Sequence, residues 1–391
     1  MRGPASACRI VVLVGVMLLT AAPAWAQPLN EVLTNLFTNN CAALGGSGGP
    51  FSPDLARLCP SSPGGPSASG GTASAIDNLA SGVDEERRLY RRLKERRQQA
   101  ASADTSMSRG FSVFASADYE NLNKDTTRFE TGFRQDTVGA TLGGDYAFGT
   151  LAVLGAAVHY AHQFGDYKGP GDYDHDRYGI TLYGSVTPID NLFVEGTVGY
   201  TRTDYSFSRF AALNTPAGLF SGSTSGDTNG NEFRVGLRGG YDFVFGRFTV
   251  GPRLGVNYRN TEIDSYAESG STGLELAYDR DRVESLTTVA GLFGSVAIST
   301  GIGVVIPQVT ADYVHEFMND QRRVDFRLVG DLARRKFSFD TDTPDRDYVL
   351  LGVGAVLVLP GGVSPFINYR ELLADRDRTS HAVTVGVRFV F

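Results

Sequence analysis

From Gly110 to Phe391 apolar and polar residues alternate one by one, the period of an extended strand whose two faces meet different surroundings. The pattern is sharpest over residues 232–246. There Phe233, Val235, Leu237, Gly239, Tyr241, Phe243 and Phe245 share one face, and Glu232, Arg234, Gly236, Arg238, Gly240 and Asp242 share the other. The next segment repeats it, with Phe248, Val250, Pro252, Leu254, Val256 and Tyr258 outward and Arg247, Thr249, Gly251, Arg253, Gly255, Asn257 and Arg259 inward. The last segment sets His381, Val383, Val385, Val387, Phe389 and Phe391 against Ala382, Thr384, Gly386, Arg388 and Val390. A soluble sheet has little use for an apolar edge of this kind, which templates aggregation. A strand with lipid on one face and water or a plug on the other has every use for it.

Twelve such segments are predicted, near 111–120, 136–148, 150–164, 175–188, 191–207, 232–246, 247–259, 285–300, 302–317, 346–359, 363–373 and 379–391. Tight turns at Gly149, Asp190-Asn191, Gly246-Arg247, Thr300-Gly301 and Gly361-Gly362 alternate with polar stretches near 121–135, 165–174, 208–231, 260–284, 318–345 and 374–378. Short turns alternating with long loops along an even set of strands is the layout of an outer-membrane barrel. The predicted fold is therefore all-β: a 12-stranded antiparallel transmembrane β-barrel over residues 110–391. A soluble sandwich shares the alternation but gives no reason for arginines on one side of strand after strand. Arg323–Val329 and Arg335–Phe339 also resemble strands and would raise the count to fourteen. The charges between them, Asp331, Arg334, Arg335 and Lys336, and the want of a nine-residue apolar face favour an outer hairpin.

Ahead of the barrel, residues 84–103 predict an α-helix, with three acids at its start and strong helix formers throughout. Only Leu89 and Leu93 share an apolar face, too little for a core stripe. Its 20 residues at about 1.5 Å each span about 30 Å, the apolar thickness of a bilayer. A barrel of about twelve strands leaves a lumen near the width of one helix, so the helix is predicted to thread it. An exposed charged helix or a coiled-coil arm is the alternative. In the lumen, Arg87, Arg88, Arg91, Arg92, Lys94, Arg96 and Arg97 would meet inward Asp145, Glu195, Glu232, Asp242, Asp312 and Glu316. Asp84, Glu85, Glu86 and Glu95 would meet inward Arg234, Arg238, Arg253, Arg370 and Arg388. Each wet pair contributes at most about 1 kcal/mol.

Residues 1–26 read as a signal peptide: Arg2 and Arg9, the apolar run Ile10 to Leu19, then Ala24-Trp25-Ala26 as the cleavage site, leaving Gln27 first. Residues 27–83 form a short Gly/Ser/Pro-rich segment with a flexible linker over 60–71. Cys8 leaves with the signal. The remaining pair, Cys41 and Cys59, is a disulfide candidate that would close a loop of roughly 19 residues and stabilise it by about 3 kcal/mol.

Composition narrows the function classes. The net charge of −7 becomes 34 − 43 = −9 once Arg2 and Arg9 are removed, and no nucleic-acid partner is expected. No G-x-S-x-G, Walker A or H-E-x-x-H motif occurs, so no enzyme activity and no cofactor is expected. His159 and His162 fall on opposite strand faces, as do His315 and Glu316. His175 lies among Asp172, Asp174 and Asp176, which read as a solvated loop edge before a cation site.

Tyr313-Val-His-Glu-Phe317, Asp345-Arg-Asp-Tyr-Val-Leu-Leu-Gly-Val-Gly354, Pro365-Phe-Ile-Asn-Tyr-Arg370 and the strand from His381 to Phe391 occur in the order and spacing of a known family. Through them the chain resembles the autotransporter β-domain, the translocator barrel of type V secretion, over about 110–391. The resemblance implies a monomer in outer-membrane lipid of a Gram-negative bacterium, with a helix through its lumen where 84–103 lies. It also implies escort by periplasmic chaperones and folding by the barrel-assembly machinery, which reads the final strand with Phe389 and Phe391. Typical members export a long passenger, whereas fewer than 60 residues separate Ala26 from Asp84. The function expected is translocation or anchoring of this short N-terminal segment at the cell surface. A plugged structural or adhesive barrel is the alternative.

Overall fold

The structure, a computed structural model, describes residues 110–391 apart from 216, 217 and 319, together with Ser67–Ser69 and Leu89, Tyr90 and Leu93; for Ser67–Ser69 and 212–220 it describes the backbone alone. Twelve barrel strands follow one another: β1 Gly110–Lys124, β2 Phe133–Phe148, β3 Ala152–Tyr167, β4 Gly171–Ile189, β5 Leu192–Thr215 and β6 Gly218–Tyr241, the last continuing as Phe243–Phe245. Then come β7 Phe248–Ile263, β8 Asp281–Val296 with its continuation Ile298–Thr300, β9 Gly303–Glu316, β10 Asp347–Val358, β11 Val363–Leu373 and β12 Arg378–Val390. Each strand pairs antiparallel with its neighbours in the chain. β12 pairs with β1, from Arg378 opposite Lys124 to Val390 opposite Ser112, and the ring closes. Closure satisfies every strand's backbone within the barrel, which a lipid environment demands.

The side-chain alternation read from the sequence holds strand by strand. On β7 Leu254 is 70% exposed while its neighbour Arg253 is buried, and on β12 Arg388 is buried between exposed Val385 and Phe389. The buried face is the barrel interior. Leu142, Leu154, Leu182, Leu237, Leu292, Val353 and Ile367 lie on the outer face with Leu254. Among the described residues no helix is long and apolar enough to cross a membrane, which does not bear on strands.

Two aromatic rings bound this apolar belt. At the turn end, exposed Phe111, Tyr146, Phe148, Phe243, Phe245 and Phe248 form one. At the loop end, each odd-numbered strand carries an outward tyrosine bonded to the even-numbered strand that follows it. Tyr119 donates to Asp136 at 2.6 Å, Tyr160 to Asp176 at 2.6 Å, Tyr200 to Asn231 at 2.7 Å and Tyr258 to Glu284 at 2.5 Å. Tyr313 bonds Asp347, and Tyr369 pairs with His381 Nδ1 at 2.8 Å. In each case the acceptor lies two residues before the tyrosine's directly opposed partner, as Tyr160 opposes Tyr178 and bonds Asp176. The eight steps from Phe111 to Tyr119 cover about 27 Å along a strand, which a tilt near 40° projects to roughly 21 Å, close to the height of the apolar band in such barrels.

The turns hold as read, with left-handed backbone at Gly149, Asn191, Gly246, Gly361 and Gly362. The loop end differs from expectation. The stretch 208–231 is not a loop: β5 and β6 stay paired out to Thr215 opposite Gly218, far above the apolar belt. With water on both faces, this part needs no apolar alternation to be a strand, so its Gly/Ser/Thr/Asn composition reads as loop. The stretches 260–284 and 318–345 jointly build a small outer sheet in which Tyr266–Ala267, Leu276–Tyr278, Arg323–Leu328 and Phe337–Asp340 pair in that order. Its own core is Leu276, Tyr278, Val324, Phe326, Leu328 and Phe339. Arg323–Leu328 and Phe337–Asp340 thus form the outer hairpin predicted from the charges between them, and the barrel has twelve strands rather than fourteen.

Inside, several aromatic rings lie over the glycine directly across the ladder. Phe114 covers Gly143 and Tyr183 covers Gly155, where an added Cβ would fall 2.5 Å from the ring. These glycines let large inward side chains lie flat on the wall and leave the centre open.

Candidate functional site in the barrel lumen

The lumen wall has an unequal lining. Its charged side is assembled by strand register. Glu195 on β5 directly opposes Arg238 on β6, and Arg238 donates to Glu195 Oε2 from Nε at 2.9 Å and Nη2 at 2.5 Å. Arg177 and Arg234 both approach Glu232, each at 3.4 Å, and Thr261 donates to the same carboxylate at 3.1 Å. Arg370 of β11 reaches Glu120 of β1 at 3.3 Å, and Ser380 donates to Glu120 at 2.5 Å. Arg253 lies flat over Phe293, its guanidinium carbon 4.3 Å from the ring centre. Asp312 lines a cavity with Arg238, Arg253 and Arg370. Arg234 and Arg388, 2% and 1% exposed, are among the largest fully enclosed side chains.

Wall cations thus have wall acids among their partners: a buried charge without a partner is costly, and register brings the neighbouring strand's acid close. The pairs expected with the charged residues of 84–103 fall outside the described residues.

The apolar side of the wall carries Phe114, Ala147, Val153, Ala157 and Tyr183 from β1 to β4. Leu89, Tyr90 and Leu93 pack against this patch with helical backbone, and Leu93 is 0% exposed. The three described residues of 84–103 therefore lie within the lumen. The sequence counted Leu89 and Leu93 as too small a stripe; a concave wall with a matching small patch makes it sufficient. The rest of that segment, including Arg87, Arg88, Arg91, Arg92 and Arg96, lies outside the described residues, as do Ala24, Ala26, Gln27, Cys41 and Cys59.

A second stretch of the N-terminal region is placed at the other end. Ser67–Ser69 pairs antiparallel with β5, Ser67 opposite Asn214 and Ser69 opposite Ala212, beside the tip of the long β5–β6 hairpin. Gly110, where the barrel begins, opposes Ala147 next to the Gly149 turn. Phe389 and Phe391 are exposed at that same turn end, and the Phe391 amide bonds the Phe111 carbonyl at 2.9 Å.

The histidines are structural in their contacts. His159 faces inward and pairs with Thr201 at 3.1 Å, while His162 faces outward and pairs with Asp176 at 3.0 Å. His175 is not at a solvated loop edge: it is fully enclosed on β4 with its ring stacked on Tyr173. Among the described residues no group of three or more His, Cys, Asp or Glu could hold a metal ion.

Residues 113–370 match the family model of the Autotransporter beta-domain. In sequence the chain is 25% identical to Outer membrane protein A of Rickettsia conorii, over 59% of this chain and 12% of that protein. It is 29% identical to Esterase EstA of Pseudomonas aeruginosa, over 43% of this chain and 26% of the esterase. The chain thus spans about an eighth to a quarter of the length of these relatives. In structure it resembles the translocator domain of autotransporter NalP from Neisseria meningitidis, with a TM-score of 0.61 at 18% identity, covering 82% of this chain and 100% of that domain.

Proposed function

Because the chain belongs to the autotransporter β-domain family, we propose that it is a translocator barrel that carries its own N-terminal segment through the lumen and anchors it at the cell surface. The family's barrels lie in the outer membrane of Gram-negative bacteria, and the apolar belt between two aromatic rings suits that place. The observation that carries the reading is the course of the chain. Residues 67–69 pair at the loop end, Leu89, Tyr90 and Leu93 pack in the lumen, and residue 110 starts the barrel at the turn end. A chain laid this way crosses the membrane once inside the barrel, with whatever precedes residue 67 on the loop side.

In this reading the signal is cleaved after Ala26, Cys41 and Cys59 join on the exported segment, and the barrel-assembly machinery inserts the folded monomer through its final strand. The outer sheet favours a second role. It gives the loop end a packed platform with Val329 and Leu332 exposed, suited to adhesion. Esterase chemistry belongs to the relative that bears the name, and no activity is assigned to this chain.

The test is an epitope tag inserted after Gln27. Antibody binding to intact cells is expected. Binding only after the outer membrane is permeabilised would leave the segment in the periplasm and remove the export reading.

A further inference from the structure

We propose that Tyr90, held between Gly236 and Arg238 of β6, is the latch that sets the axial position of the lumen segment. The inference rests on the reading that 84–103 occupies the lumen, and it assigns the register of that segment to one socket.

Three observations build the socket. The Arg238 guanidinium lies over the Tyr90 ring, its carbon 4.2 Å from the ring centre. This arginine is itself fixed from behind by two hydrogen bonds to Glu195, which is fully enclosed. It therefore presents a positioned cation to the negative face of the ring, and such pairs gain when desolvated. Gly236 is the inward residue two positions before Arg238, and a Cβ there would fall 2.4 Å from the Tyr90 hydroxyl and 2.7 Å from Thr197 Oγ1. The want of a side chain at 236 is thus a notch that the phenol end of Tyr90 fills. Leu89 and Leu93, meanwhile, lie on the smooth apolar patch of Phe114, Val153, Ala157 and Tyr183.

The two contacts do different work. An apolar patch holds a helix against the wall but resists sliding weakly, because burial is non-directional. A ring seated in a one-residue notch under a fixed guanidinium has a single place along the strand. One helical residue of slip moves Tyr90 by about 1.5 Å along the axis and by about 100° around it, enough to lose both the notch and the cation. The latch makes Tyr90 a positioning residue for the whole threaded segment, and so for how much chain stands beyond the loop end.

The experiment uses the full-length barrel in planar lipid bilayers, with heat-modifiable gel mobility showing that each variant is folded. Removal of 84–103 is expected to open the pore. Tyr90→Ala and Gly236→Val are each expected to raise conductance several-fold above the parent, by loss of the ring and by filling of the notch. Tyr90→Phe, which keeps the ring under the guanidinium but vacates the notch, is expected to fall between the parent and Tyr90→Ala. A photoreactive benzoylphenylalanine at position 90 is expected to cross-link to the β6 peptide containing Gly236. If the deletion opens the pore while Tyr90→Ala and Gly236→Val leave it closed, or if the cross-link falls on other strands, the latch is wrong and the threaded segment stands. If the deletion itself changes nothing, the lumen reading has failed and the latch with it.

Discussion

Arg209 and Glu268 show how single residues organise the loop end. The guanidinium donates to the carboxylate from Nε at 2.8 Å and Nη2 at 2.6 Å and also reaches the Leu274 carbonyl, while Glu268 accepts from the Leu276 amide. Both side chains are 2% exposed. Together they staple the outer sheet to the long hairpin. Arg209→Ala should cost about 3–5 kcal/mol at that site, because it strands a buried carboxylate. The expected outcome is rapid proteolysis within 264–280 with unchanged heat-modifiable mobility of the barrel. Acid acts on a different contact. Burial alone would push the Asp345 carboxyl up, but the Arg376 side chain and backbone amide, both 2.7 Å away, outweigh it and hold it below its ordinary 3.8. A depressed carboxylate stabilises the folded loop fully above 3.8 and loses that contribution as pH falls through its lower folded value. Asp377 has the opposite sign: burial, then Asp342, Asp345 and Asp375, raise it, so its charge opposes the fold and protonation relieves it. Hydrogen exchange over 344–346 and 374–378, corrected for intrinsic rate, should stay flat near neutral pH and rise only in acid below the ordinary 3.8 of Asp345. None of these contacts was legible in the sequence. The tyrosine ring was equally hidden, since Tyr119, Tyr160 and Tyr200 are unremarkable alone and reveal their pattern only when register sets each beside an acceptor on the next strand.

At the scale of elements, the alternation that defines β6, β7 and β12 was readable because hydrocarbon and lumen impose opposite demands on adjacent residues. The same rule makes a prediction. Leu254 is outward in the middle of the belt, and Leu254→Arg should destabilise the barrel by about 2–4 kcal/mol in lipid vesicles, measured by urea titration. An arginine in place of Ser223, exposed on the outward face of the part of β6 that stands in water, should be close to neutral. A uniform penalty at both positions would mean that the belt ends elsewhere. The elements that escaped sequence reading are those free of this opposition: the upper half of the β5–β6 hairpin, wet on both faces, and the outer-sheet strands Tyr266–Ala267 and Leu276–Tyr278, too short for a period to show. The lumen segment escaped in part for a related reason. Its Leu89, Tyr90 and Leu93 are few because the patch they meet on β1 to β4 is small.

For the whole molecule, the account joins a closed barrel to a chain that runs through it. Lumen arginines have acids of the wall among their partners, through Arg238–Glu195, Arg177–Glu232 and Arg370–Glu120. The most direct test is the reactivity of single cysteines at positions 68, 90 and 109, in a chain with Cys41 and Cys59 replaced by serine, toward a maleimide that cannot cross the outer membrane. In intact cells position 68 should be labelled, position 90 protected and position 109 reached only after permeabilisation. Labelling of position 68 only in permeabilised cells, in step with position 109, would contradict the outward course of the chain.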